Sequence, residues 1–198
     1  MAISTYAELQ TAITNWLHRS DLATVVPDFI TIGETWIKRY ARLREMESAL
    51  SVTIASGVAA VPSDFMALKN ARVSGQNVRV EIRPADWIYD NYATRSGSGI
   101  PKFIGVEGSN FVFGPYPGGY TILGTYYADP GVVSASAHSL FTRNPDLYLY
   151  ASLAAAEPYL KNDARLPIWV AQREQIMKDA NRYAEDSRFG DGLAVRAA

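Results

Sequence analysis

Cysteine is absent from the 198 residues of this chain, and histidine is nearly so, with only His18 and His138. The first absence excludes disulfide staples, thiolate catalysis and sulfur-ligated metals, and leaves rigidity to packing and hydrogen bonding. The two imidazoles belong to no metal-ligand spacing and no recognisable nucleophile motif. His18 falls near the end of a predicted helix, where a cation complements the dipole, and His138 falls in a polar stretch. A long hydrophobic run is missing as well, since nothing approaches the roughly 18 apolar residues of a membrane span. The opening Met-Ala-Ile-Ser-Thr-Tyr lacks the charged and apolar regions of a signal peptide, so synthesis in the cytosol and no membrane contact are expected. Charge of one sign is lacking too. With 19 basic and 20 acidic residues the formal net charge is −1, so no global field draws nucleic acid or an anionic membrane, and any such contact has to be local.

Motif chemistry is equally sparse. Arg95-Ser96-Gly97-Ser98-Gly99 carries glycines, but a phosphate loop needs a preceding strand, a following helix and a lysine, and Ile100-Pro101 follows instead. No helix-turn-helix punctuation, zinc spacing or basic–aromatic sheet motif is present. Twenty acidic residues make chance pairs of carboxylates inevitable, and none is singled out for glycoside hydrolysis. No catalytic residue, cofactor or metal site is therefore expected.

What the chain does have is amphipathic aromatics, 12 Tyr and 4 Trp, of the kind enriched at protein interfaces, and a definite order of patterns. Thr5 followed three positions later by Glu8 forms a capping-box signature, and Tyr6, Leu9, Ile13, Trp16 and Leu17 recur at helical spacing, predicting a helix over about residues 5–19. Ser20-Asp21 interrupts it. Pro27 then suits the first turn of a second helix, on which Phe29, Ile32, Gly33, Trp36, Ile37, Tyr40 and Leu43 share one face. Lys38, Arg39, Arg42 and Arg44 lie at its end, where the helix dipole favours cations. They read either as a solvated face or as a basic band toward an acidic partner or DNA in a channel.

From Leu50 the period changes to two. Leu50, Val52 and Ile54 alternate before Ser56-Gly57, and Val58 to Val61 return as the expected hairpin partner. Pro62-Ser63-Asp64-Phe65 reads as a turn, Leu68 to Val73 and Val78 to Ile82 as strands about Ser74-Gly75-Gln76-Asn77, and Asp86 to Tyr92 as a short helix. Ala93 to Gly99 has no apolar anchor and reads as a mobile loop. Phe103 to Val106, Phe111 to Phe113 and Thr121 to Tyr127 supply three more strands, and the short connections predict an antiparallel sheet. Val132 to Arg143 reads as a polar connection.

Helicity resumes at Asn144-Pro145, with Leu147, Tyr150, Ala151, Ala154 and Ala155 building a helix to about Lys161 that Pro158 kinks or ends. Its small residues allow close helix contact. Pro167 opens a last helix to about Ser187, and the Gly-rich stretch Arg188 to Ala198 is too short to fold alone, so it is either frayed or docked on a neighbour. The fold class expected is α+β: a helical bundle of the N- and C-terminal segments 1–47 and 144–187, an inserted antiparallel β region with its connecting loop at 48–143, and an extended C-terminal tail at 188–198.

Several stretches resemble the head-to-tail adaptor proteins of short-tailed and related tailed bacteriophages. They are Tyr6 to Gln10 with Trp16 to Leu22, Pro27 to Glu47, Pro62-Ser63-Asp64-Phe65, Gly105 to Pro115 with Tyr126-Tyr127, and Asn144 to Asp163. Together they cover essentially the whole chain. The resemblance implies a virion protein, not an enzyme, assembled as a twelve-membered ring beneath the portal, extending the DNA channel and receiving the tail nozzle. DNA then passes without specific grip, and some relatives hold tail fibres or spikes. It also implies a portal-docking tail, here Phe189, Leu193, Val195 and Arg196 within Phe189 to Ala198. The alternatives are a peptidoglycan hydrolase acting during infection and a non-specific DNA-binding module using Lys38, Arg39, Arg42 and Arg44.

Overall fold

The computed structural model describes residues 3–93, 99–160 and 165–189, with the backbone alone for 187–189. The loop predicted at Ala93 to Gly99 has its centre, 94–98, outside the described residues, as does the tail from 190 onward. The fold is mixed α and β, and the chain divides into two compact units, Met1–Glu45 with Pro130–Ala198, and Met46–Asp129.

The first unit is helical. Helix α1 spans Tyr6–Leu17, and its capping box forms as the sequence predicts: the Thr5 hydroxyl accepts the Glu8 N–H at 3.2 Å, and the Glu8 carboxylate accepts the Thr5 N–H at 3.0 Å. Leu9, Ile13 and Leu17 are buried, and His18 closes the helix in the left-handed region at φ 53°. Helix α2, Val26–Tyr40, starts with Pro in its first turn and buries Val26, Phe29, Ile30, Gly33, Glu34 and Ile37. The predicted face is corrected at two points. Ile32 lies on the flank, about 100° from Gly33, and is 55% exposed, and Tyr40 in the last turn is 57% exposed. Leu43 is buried but lies past the helix, because the chain leaves it at Ala41 in extended conformation.

Helix α3, Ala85–Asn91, belongs to the second unit. In the first, the stretch read as a polar connection contains helix α4, Ser139–Arg143. Its N-cap is His138, whose Nδ1 accepts the Phe141 N–H at 3.4 Å, and the segment before it is fixed by the buried Glu34 carboxylate, which accepts the Val133 N–H at 2.8 Å. Residues 130–143, read from the sequence with the β region, thus belong to the helical unit. Helix α5, Pro145–Leu160, continues through Pro158 and lies against α1, α2 and α6, the last spanning Leu166–Phe189. It buries Leu147, Leu149 and Leu153, each stabilising by about 1.5–3 kcal/mol. At Gly33 the helices approach closely: a Cβ would meet the Ser152 nitrogen at 2.9 Å and the Ala151 carbonyl carbon at 3.0 Å, so the side chain has to be hydrogen. Helix α6 runs two residues past the predicted end.

The second unit is a seven-stranded sheet of β1 Glu47–Thr53, β2 Val58–Ala60, β3 Phe65–Val73, β4 Arg79–Ile82, β5 Phe103–Glu107, β6 Asn110–Gly114 and β7 Thr121–Ala128, in the order β1-β7-β3-β4-β5-β6-β2. Two expectations are corrected. Although Ser56 and Gly57 turn tightly at φ 51° and 78°, β2 pairs with β6 and β1 with β7, leaving one isolated bridge, Ala55 to Val58, of the predicted hairpin. The sheet is also not wholly antiparallel: β4 and β5 run parallel, linked through α3. Since the end strands β1 and β2 are joined by only four residues, the sheet curls back on itself around Leu50, Ile54, Val73, Ile104, Phe111, Phe113 and Ile122. Gly124 on β7 faces a bulge in β3, where a Cβ would come within 2.2 Å of the Asn70 carbonyl oxygen.

Candidate functional site

Among the described residues no group of three or more His, Cys, Asp or Glu is placed to hold a metal ion, and no helix is long and apolar enough to cross a membrane. The carboxyls of Glu8 and Asp21 both lie below their usual values, and both are exposed. Hydrogen bonds from Ser4 and Thr5 hold Glu8 at about 2, and the Arg19 guanidinium lowers Asp21. Such groups are caps and surface pairs, ionised throughout the neutral range. In the sheet unit, Tyr126 donates to Asp64 at 2.9 Å and Lys69 pairs with Glu47 at 2.6 Å, linking strands to one another and to a turn.

The distinctive chemistry lies on the helical unit, as exposed aromatic surface. Among the described residues Trp16, Tyr40, Tyr159 and Tyr183 are 43–73% exposed, and the large hydrophobic residues exposed on the sheet unit are the aliphatics Ile82, Ile100 and Val106. One group gathers where α1 ends, α5 ends and α6 begins. Trp16 meets Tyr150 edge-on at 5.6 Å, the Trp16 carbonyl accepts from Arg165 at 2.9 Å, and Tyr159 packs on Phe29 at 5.7 Å. Ile168, 61% exposed, adds apolar surface at the start of α6.

The other group borders two hollows along the C-terminal half of α6. Between α2 and α6 runs a groove of about 580 Å³, lined by Trp36, Tyr40, Met177 and Asn181 and rimmed by Glu174, Lys178, Arg182 and Glu185. The Trp36 and Tyr40 rings sit 5.0 Å apart, and the Arg173 guanidinium lies 4.0 Å from the centre of the Trp36 ring. Burial lowers the pKa of Arg173 from its usual value, which the aromatic contact tolerates because guanidinium is weakly hydrated. Asn181 fixes the end of α2, since its Oδ1 accepts the Arg42 N–H at 3.1 Å and its Nδ2 donates to the Tyr40 carbonyl at 3.4 Å. Beyond it a second hollow of about 380 Å³ is bordered by Leu43, Arg44, Glu45, Arg143 and Tyr183, with Arg143 bonded to Glu45 at 2.9 Å.

The four sequence-predicted cations do not act alike. Lys38 and Arg39 occupy the last turn of α2 as the dipole favours. Arg42 turns inward, donating to the Lys38 carbonyl at 3.2 Å and to the Ala41 carbonyl, so it caps the helix. Arg44 is exposed in a 3-10 turn beside the second hollow. Of the predicted docking residues, Phe189 ends α6 with its side chain outside the described residues, and Leu193, Val195 and Arg196 lie outside them altogether.

Sequence reasoning missed the groove. It placed Trp36 and Tyr40 on one shared helical face and singled out no opening beside them. The available signal was their four-residue spacing, which stacks two aromatic rings on one ridge at the very end of a helix, where the next element has to cover them or leave them open.

A family model for the SU10 adaptor protein matches residues 4–196. None of the curated proteins compared with the chain matches it. The chain belongs to the SU10 adaptor protein family, and the resemblance to phage head-to-tail adaptors read from the sequence is borne out.

Proposed function

We propose that this protein is a structural connector of the virion: copies form a closed ring, twelve around, that joins the portal vertex to the tail nozzle and continues the DNA channel, without catalysis. Family membership over 4–196 carries the reading, and the distribution of exposed aromatics supports it. A ring of identical subunits uses heterologous contacts, so each copy needs two unlike sticky faces. The helical unit offers two, one at Trp16, Tyr159 and Ile168 and one at Tyr40 and Tyr183. In this reading α1, α2, α5 and α6 form the bundle that makes the ring, and the sheet unit presents its loops to tail components, fibres or spikes among them. Arg39 and Arg44 face the acidic partner or the DNA lumen, which slides past without sequence-specific contacts. Residues 188–198, with Phe189, Leu193, Val195 and Arg196, dock on the portal. Weak contacts repeated around a ring become a firm joint through multivalency. The protein is made in the host cytoplasm and ends at the head–tail interface.

The test is capture on purified portal. The full chain is retained, and a chain lacking 188–198 stays folded by circular dichroism and passes through. Full retention of the truncated chain refutes the docking role.

A further inference from the structure

The β3–β4 ladder of the sheet unit sets two arginines against each other. Arg72 on β3 and Arg79 on β4 are direct cross-strand partners, so their side chains share one face, and both are exposed. In the neighbouring pair the Val73 N–H donates to the Val78 carbonyl at 3.0 Å, which makes Arg72 and Arg79 the non-hydrogen-bonded, closer kind of pair. Like charges placed directly opposite weaken a ladder. Among the described residues neither guanidinium has an ion-pair partner, and the Glu81 carboxylate two residues along β4 is taken by Arg83.

The strands part just beyond. Their last pair is Ala71 with Val80, and a hollow of about 510 Å³ opens there, lined by Asn70, Arg79, Val80, Glu81 and Ile82. Glu81 and Arg83 give their N–H groups to the carbonyls of Lys102 and Ile104 on the β5 side, at 2.8 and 2.9 Å. By alternation the N–H and C=O of Ile82 point the other way, into the hollow. We propose that this opening is a docking site for an extended, acidic segment of a tail component, whose backbone pairs with Ile82 and whose carboxylate is clamped by Arg79 and Arg72. The chemistry of the site follows from the sheet alone, and the assignment of its occupant to the tail rests on the reading above.

Each feature narrows the occupant. A strand edge that offers one donor and one acceptor matches a polypeptide backbone, whereas the phosphates of nucleic acid supply acceptors alone and leave the Ile82 carbonyl unmet. Two guanidiniums without partners, each able to bind in a bidentate fork, call for a carboxylate. Asn70, two residues from Arg72 on the same face, adds an amide donor. Because alternate side chains of an extended chain point to opposite sides, a segment that presents its acid to the arginines has an apolar position left to cover Ile82, which is 47% exposed. The unfavourable arginine pair is thus relieved only when the segment is bound.

The probe is a capped, fluorescein-labelled heptapeptide of alternating aspartate and valine, titrated with the full chain at about 0.15 M salt. It binds, and the double variant Arg72→Thr with Arg79→Thr binds it about tenfold more weakly while melting no lower than the unsubstituted protein, because the like-charge pair is gone. Replacing the aspartates by asparagines, or methylating the backbone nitrogens, weakens binding to a similar degree. No binding, equal affinity of the double variant, or equal affinity of either altered peptide overturns the proposal. So does tighter, arginine-dependent binding of a DNA duplex of equal charge, or a self-association that the double variant abolishes, since these name nucleic acid or a second copy as the occupant. If the peptide binds while the full chain forms no ring on portal, the connector reading fails and this site stands. A ring on portal without peptide binding is the reverse.

Discussion

The two units face the same problem, how to hide apolar surface, and resolve it differently. The sheet unit curls until its first and last strands meet, encloses Phe111 and Phe113 with no exposure, and leaves only separate aliphatics outside. The helical unit buries a comparable set, Ile13, Val26, Leu147 and Leu153 among them, yet among its described residues Trp16, Tyr40, Tyr159 and Tyr183 stay in solvent and hollows open along α6. The end strands of the sheet come together through a four-residue connection and one isolated bridge, Ala55 to Val58, whereas a layer of helices has an outer ridge that some further element has to cover. Under the proposed function, assembly therefore falls to the helices.

The comparison can be broken from either side. Removing core volume from the sheet has the largest effect: Phe111→Ala costs about 4 kcal/mol in urea unfolding, because the ring is fully buried. Gly33→Leu costs about 3 kcal/mol by forcing α2 off the α5 backbone, which the same titration detects. Thr5→Ala removes the α1 cap for about 1 kcal/mol. Tyr40→Ser with Tyr183→Ser shifts stability by no more than about 0.5 kcal/mol, yet lowers assembly onto portal about tenfold in sedimentation, while Ile82→Ser with Ile100→Ser leaves it unchanged. Equal loss in the two pairs erases the distinction between the units. The smallest effect is on pH. The Glu8 carboxyl is held at about 2 in the fold, below its usual 4.5, so its capping contribution is complete above about pH 4.5 and disappears as pH falls toward 2. Helicity followed between pH 5 and 2 shows this dip, and Glu8→Gln flattens it.

Several local signals in the sequence match the structure. The capping box at Thr5 and Glu8, Pro27 at the head of α2 and the turn at Ser74 to Asn77 all form as their residues demand. Pairing between distant strands was not legible. Val58 to Ala60 follows a tight turn and was expected beside β1, but β6 carries Phe111 on the closing side of the core and takes that position. The parallel β4–β5 pair escaped for the same reason, since a seven-residue helix inside a polar stretch is enough for the crossover. Helix α4 was hidden because its cap is a histidine, which has no place in the usual N-cap signature. Family character was legible over the whole chain, while the groove was not, because Trp36 and Tyr40 carry the same helical spacing whether a neighbouring helix covers them or stops short.

The most direct measurement is electron microscopy of the full chain assembled on portal, at a resolution that shows which unit meets the neighbouring copy. A closed ring whose adjacent copies touch through the helical units, with Trp16, Tyr40, Tyr159 and Tyr183 buried between them, is the predicted result. Copies joined through their sheets with those four rings in solvent, or no ring at all, contradicts it.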